Sequence, residues 1–296
     1  VSALPNQLTT IVELLARSAG RLRTLSGSPE LDSRLLLGFV LKQSFVQLIA
    51  RGHQQLSAEE FEQYQALLAR RIAGEPIAYI VGRKEFYGRD FEVSPAVLIP
   101  RPETEMLVDA ALEFIAPRKT EALAVVDLGT GSGCIAVSLA AEARRYDADL
   151  KVLATDRSRE ALSIAARNAQ AHGVTITFLQ ADWLQPLAGG FDLILSNPPY
   201  LALAEVATAS PETRFEPRTA LFAGEDGLDD VKRLLRALPE LLKPGGLFLC
   251  EIGAGQRAAI DQLIADRQYK LLKGFQHSIE NDLAGRARML ALRREP

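Results

Sequence analysis

From Leu123 onward, short apolar runs alternate with stretches of helical period, and that alternation admits few folds. Strands are expected at Leu123–Asp127, Lys151–Thr155, Thr175–Gln180, Leu193–Leu195 and Leu247–Ile252. Helices are expected at Cys134–Ala143, Arg159–Ala171, Leu228–Leu242 and 256–266, the third ended by Lys243-Pro244-Gly245-Gly246. Apolar runs this continuous fit parallel strands buried on both faces. Helices between them give a parallel sheet with helices on either side. Two closing strands, Tyr269–Phe275 and Ala287–Leu292, read as an edge pair.

Open sheets of this kind bind ligands at the carboxyl ends of their strands. The first strand runs into Gly129-Thr130-Gly131-Ser132-Gly133, where glycines let the chain turn tightly and a ligand approach the helix that follows. The spacing G-x-G-x-G does not demand a pyrophosphate and argues against a nicotinamide oxidoreductase. The second strand ends in Asp156, a carboxylate placed to accept both hydroxyls of a ribose, or alternatively to cap the next helix. The third ends in Asp182-Trp183, which can bond an adenine amine and stack on its ring. A core position is the alternative for this sole tryptophan.

The fourth strand ends in Asn197-Pro198-Pro199-Tyr200. Two prolines force the chain out of the sheet. They leave an amide side chain, a carbonyl and an aromatic ring at its edge. The Asn197 side-chain oxygen and the Pro198 carbonyl are both acceptors, and Pro199 adds no competing donor. Such a pair can hold both hydrogens of one planar –NH2 group while Tyr200 stacks on it. That orients a poor nucleophile without a strong base. A rigid turn with Asn197 bonded to its own backbone is the structural alternative.

Residues 1 to about 75 read as helices. Leu8, Ile11, Val12, Leu14 and Leu15 form one stripe; Leu31, Leu35, Leu36, Phe39 and Val40 form another. Asp32 suits the start of the second helix. Ser57 and Glu60 cap a third, which Gly74 ends and Pro76 keeps from resuming. Residues 84–99 read as a hairpin turning at Gly88. Arg101, in Pro100–Glu105, immediately precedes the sheet and is carried as a site candidate. The expected organisation is a helical domain over 1–83, for recognition or bracing, a hairpin connector over 84–99, and a catalytic domain over 100–296. Within the last, 201–227 is a long loop of the sort that carries function.

The net charge of −3 supplies no global field for nucleic acid or an anionic membrane. Cys134 and Cys250 lie in apolar segments and read as reduced thiols. His53, His172 and His277 lack metal-ligand spacing, so no metal is expected. No run is long enough to span a bilayer, and no leader pattern opens the chain, so a cytoplasmic location is expected. The chain opens on Val1, so its true start is expected upstream.

VVDLGTGSGCIAVSLA, IPRPETE, FDLILSNPPY and RFEPRTALFAGEDGL, with the helical N-terminus, together resemble the bacterial HemK/PrmC-type release-factor glutamine methyltransferases. The tetrad alone is shared with amino-methyltransferases acting on adenine or cytosine in nucleic acid and with a ribosomal-protein glutamine methyltransferase. The resemblance implies an α/β fold of the class I S-adenosylmethionine-dependent methyltransferase type, with a Rossmann-like seven-stranded sheet whose last strand is antiparallel. It implies S-adenosylmethionine as methyl donor, with S-adenosylhomocysteine as product. Gly129, Thr130, Gly131, Ser132 and Gly133 would meet its methionine side, Asp156 the ribose, and Asp182 and Trp183 the adenine. Asn197, Pro198, Pro199 and Tyr200 would hold the acceptor. That acceptor, by the same resemblance, is the glutamine of the Gly-Gly-Gln motif of class 1 peptide-chain release factors. A nucleic-acid amino-methyltransferase and a non-catalytic donor-binding protein are the competing readings. The intact tetrad argues against the second, and the charge against the first.

Overall fold

The computed structural model describes residues 9–118, 121–183, 187–207, 210–266 and 272–296. The described residues form two compact units. One holds the chain up to Arg83 with Ser210–Phe215; the other holds the remainder.

The first unit contains helices α1 (Ile11–Leu22), α2 (Pro29–Leu41), α3 (Phe45–Ala50), α4 (Ala58–Ile72) and α5 (Ile77–Val81). Thr10, Ser44 and Ser57 open α1, α3 and α4 with reciprocal caps, each hydroxyl accepting from the backbone three residues on. Leu14, Leu22, Leu36, Leu37, Tyr64, Leu68 and Ile80 form the core. The stripe expected on α2 is divided between two faces, with its Leu36 buried and its Val40 packed against the core. Leu31, Leu35 and Phe39 are 50%, 44% and 43% exposed, while Leu36, Leu37 and Ser33 face inward. Leu8 lies outside the described residues. Pro76 does not keep the helix from resuming; it sits at the N-cap of α5, where a missing N–H costs nothing.

Asp32 does more than complement a helix end. Its carboxylate accepts from Arg71 Nε at 2.7 Å, and the same guanidinium, 3% exposed, lies 2.6 Å from Glu212. Removing one partner of a buried pair leaves the other charge unpaired. Arg71→Met is therefore expected to lower unfolding free energy by about 3–5 kcal/mol, read as a drop in the urea midpoint.

The second unit begins at Lys84, within a hairpin of β1 (Arg83–Phe86) and β2 (Arg89–Glu92) that is shorter than the segment expected. Its Phe86 and Phe91 are fully buried against α6 (Glu105–Ile115) and α7 (Cys134–Ala143). Each contributes about 1.5–3 kcal/mol by burial. The main sheet holds β3 (Ala122–Leu128), β4 (Asp149–Asp156), β5 (Thr177–Gln180), β6 (Phe191–Ser196), β7 (Leu242–Glu251), β8 (Phe275–Asn281) and β9 (Ala287–Arg294). Their order is β5-β4-β3-β6-β7-β9-β8, parallel up to β7, with β9 antiparallel to both neighbours. Leu123, Val125, Leu193 and Leu195 face the core under α6 and α7. Val126, Leu128 and Ile194 face the opposite core, under α9 (Asp229–Leu241) and α10 (Arg257–Ala265). Both faces are covered, which is why these strands are apolar throughout. α8 (Arg159–Ala171) joins β4 to β5.

The closing strands pair at the edge of the sheet as expected, with β9 inserted between β7 and the outermost β8. The first of them begins at Phe275, and Tyr269, Lys270 and Leu271 lie outside the described residues. Lys243–Gly246 does not separate helix from strand but bulges within β7, between the Phe191–Leu242 and Leu193–Leu247 pairs. Lys243 there meets Asp192 at 2.7 Å.

Candidate active site

Strand register sets the site. Leu128 pairs with Thr155 on one side and with Ser196 on the other, and Ser196 pairs with Cys250. The next residue of each strand therefore falls on one row across the sheet: Asp156, Gly129, Asn197 and Glu251. β3 is where the strand order reverses, the position at which such sheets open a crevice.

The glycine loop turns through left-handed backbone at Gly131 and Gly133, with φ of +54° and +81°. The two glycines serve different ends. A Cβ on Gly133 would meet the Ala165 Cβ at 3.0 Å, so this glycine lets α7 pack on α8. A Cβ on Gly131 would meet nothing within 4 Å, because the space beside it is the pocket. The Gly131 N–H donates to Asp156 Oδ2 at 2.9 Å. Thr130 turns its hydroxyl inward to Asp127 Oδ2 at 2.6 Å, and burial pushes that carboxyl up to about 7. Asn168, on α8, braces the loop by donating to the Ser132 carbonyl at 2.8 Å and to the Glu92 carbonyl at 3.0 Å.

Asp156 Oδ1 accepts from Ser158 N at 2.8 Å. It does not cap α8; Ser158 does, accepting from Ala161 N at 3.1 Å. The Gly131, Arg157 and Ser158 N–H groups thus engage the carboxylate, whose two oxygens together offer about four lone-pair sites. Burial raises the Asp156 pKa, against the pull of the Ser158 and Gly131 N–H groups.

Trp183 holds a left-handed backbone, φ +56°, and sets its ring against Gly129. It packs on the α9-side core and also lines the pocket. Its ring bonds Asp230, whose pKa burial raises. Asp182 lies at the pocket edge, 62% exposed along its side chain and 3.3 Å from Arg233.

Asn197 Nδ2 donates to Thr104 Oγ1 at 3.1 Å, while Asn197 Oδ1 is buried and has no hydrogen-bond partner. The alternative in which this side chain bonds its own backbone is not what is found. Pro199 lines the pocket with Asn197. Tyr200 does not; its phenol bonds Glu251, and burial, with that carboxylate, raises its pKa. Its carbonyl accepts from Gln256 Nε2 at 3.0 Å, which also reaches Gly227. Arg101 lines the pocket and donates to Glu216 Oε1 at 2.5 Å.

The pocket gathers Arg101, Gly129, Thr130, Gly131, Ser132, Asp156, Asp182, Trp183, Asn197 and Pro199. Of the residues singled out from sequence, Gly133, Pro198 and Tyr200 are not among those that line it. Thr104, Glu216 and Glu251 are additions from the structure. Glu251 carried a signal, as an acidic residue closing the apolar strand run LFLCEIG. Among the described residues no cluster suits a metal ion, and no helix is long and apolar enough to cross a membrane.

Residues 13–82 match the model of the PrmC N-terminal domain, and residues 105–215 that of the methyltransferase small domain. A release factor glutamine methyltransferase of Koribacter versatilis is 46% identical, the alignment covering 81% of this chain and 84% of that one. One from Nitratidesulfovibrio vulgaris is 39% identical, covering 96% and 95%. Among solved structures, the hMettl16 catalytic domain in complex with MAT2A 3′UTR hairpin 6 superposes with a TM-score of 0.55 at 16% identity, over 86% of this chain and 93% of that one. That last likeness is one of fold.

Proposed function

This chain belongs to the release factor glutamine methyltransferases, and from that premise we propose that it methylates the side-chain amide of the Gly-Gly-Gln glutamine in class 1 release factors, using S-adenosylmethionine. The observation that carries the reading is Asn197 Oδ1, a buried acceptor without a partner at a pocket wall. A buried acceptor left unmatched costs free energy, about 1–3 kcal/mol, which an incoming N–H restores. The glycine loop and Asp156 suit the donor: an open face at Gly131 beside a carboxylate.

When bound, S-adenosylmethionine supplies a methyl group activated by a positively charged sulfur. The chain's own residues do the rest by orientation. Asn197 Oδ1 and the Pro198 carbonyl accept the two N–H bonds of the glutamine amide and fix the direction of its nitrogen lone pair. The same two acceptors favour the rehybridised nitrogen, whose hydrogens grow more acidic as the amide loses conjugation. The surplus proton on the methylated nitrogen is strongly acidic, so no side-chain base is assigned. Asp156 would hold the ribose, and Arg101, Asp182 and Trp183 would complete the donor site, the last two toward the adenine.

The reading is tested by offering radiolabelled donor with three acceptors separately: an unmethylated release factor, unmethylated ribosomal proteins, and nucleic acid. Label on the release factor alone is expected. Label on ribosomal protein or nucleic acid instead would keep the pocket chemistry and overturn the substrate.

A further inference from the structure

We propose that Glu251 is a positioning residue: acting through Thr104, it fixes which end of the Asn197 carboxamide is left free to accept the substrate amide. The inference rests on the reading of Asn197 given above. A carboxamide has a donor end and an acceptor end of nearly equal shape. Only one orientation can hold an –NH2 group, so something must choose between them.

The choice is made by a buried chain of hydrogen bonds. Thr104, 2% exposed, donates its hydroxyl proton to Glu251 Oε2 at 2.5 Å. A hydroxyl has a single proton. Once that proton is committed to a carboxylate, only lone pairs face Asn197, and only Nδ2 can answer them. Nδ2 does so at 3.1 Å, and Oδ1 is left as the unpartnered acceptor. Tyr200 bonds the same carboxylate, so two parts of the tetrad converge on Glu251. Thr104 and Glu251 lie 147 residues apart, and the bond exists only in the folded chain.

The polarity of this chain depends on charge. With Glu251 protonated, the carboxyl can donate to Thr104, the hydroxyl can turn its proton to Asn197, and the amide can reverse. Oδ1 would then be used up and the substrate would meet a donor. Burial pushes Glu251 up to about 7, opposed by the Thr104 bond, by Arg288 and by the Tyr200 bond, and reinforced by Glu103. Arg288 is shared with Asp282 at 3.2 Å and Glu103 at 3.8 Å, and the neutral thiols of Cys134 and Cys250 complete the surroundings. The ionised form is the competent one. Correct orientation is therefore present above neutral pH and lost as pH falls through about 7.

The test uses the full chain as wild type, Glu251→Gln, Thr104→Val and Thr104→Ser. Single-turnover transfer to the release factor, donor affinity by calorimetry, and NMR of the Asn197 side-chain amide are followed from about pH 5.5 to about pH 8.5. In wild type the rate and the Asn197 amide resonances should both change with a midpoint near 7. Glu251→Gln and Thr104→Val should lower the transfer rate about 10–100-fold with donor affinity held within about twofold. Glu251→Gln should also lack the acid limb, and Thr104→Ser should recover most of the rate. A Glu251→Gln enzyme with wild-type rate and an intact acid limb would overturn the proposal. So would a wild-type Asn197 amide that ignores pH, which decides the matter even if a variant misfolds. If wild type transfers nothing to the release factor, the substrate reading fails, and the amide titration still decides the role of Glu251.

Discussion

Replacing Asn197 with alanine is expected to lower the single-turnover rate of methyl transfer about 10²–10³-fold while donor affinity stays within about twofold. The separation follows from where the side chain sits. Oδ1 is the buried acceptor, and Nδ2 is spent on Thr104. The residues that suit the donor lie mainly to the other side of Asn197, along the ends of β3 and β4. Truncation removes orientation at the acceptor and leaves the donor cradle intact. Calorimetry with S-adenosylmethionine beside quench-flow label transfer separates the two. A loss confined to donor affinity would move Asn197 out of the acceptor site.

Asp156→Ala is expected to do the reverse. Hydrogen bonds to a charged group contribute about 1.5–3 kcal/mol each, and the carboxylate also holds the Gly131 and Ser158 N–H groups in place. Donor affinity should fall about 10²-fold, with the transfer rate at saturating donor reduced far less. Asp156→Asn, which keeps one acceptor oxygen, should fall between. Unchanged donor affinity in the alanine variant would remove Asp156 from the donor site.

What could be read from sequence was what depends on neighbours in the chain. The glycine loop, the acidic end of β4 and the tetrad after β6 each carry their geometry in a few consecutive residues. Each was located without knowing the pairing of the strands. The helix stripe on α2 misleads at Leu31, Leu35 and Phe39, which obey helical spacing as well as the buried Leu36 does, and only the packing partners decide which face turns inward. Pro76 reads as a stop because a proline ends one helix by the same property that lets it begin another. The insertion of β9 between β7 and β8 is a pairing across distant segments, which period and propensity do not encode. For the same reason Thr104–Glu251 and Arg101–Glu216, separated by 147 and 115 residues, were out of reach. Once register is known, Glu251 follows at once, since it stands one strand over from Asn197.

The role of that row of residues is tested most directly by mapping the methyl group. An unmethylated class 1 release factor, and the same factor with its Gly-Gly-Gln glutamine replaced by alanine, are each incubated with the enzyme and labelled donor, then digested and sequenced by mass spectrometry. The account predicts one methyl group on the amide nitrogen of that glutamine in the intact factor and none in the altered one. Equal labelling of the two factors, or a methyl group on any other residue, would contradict it.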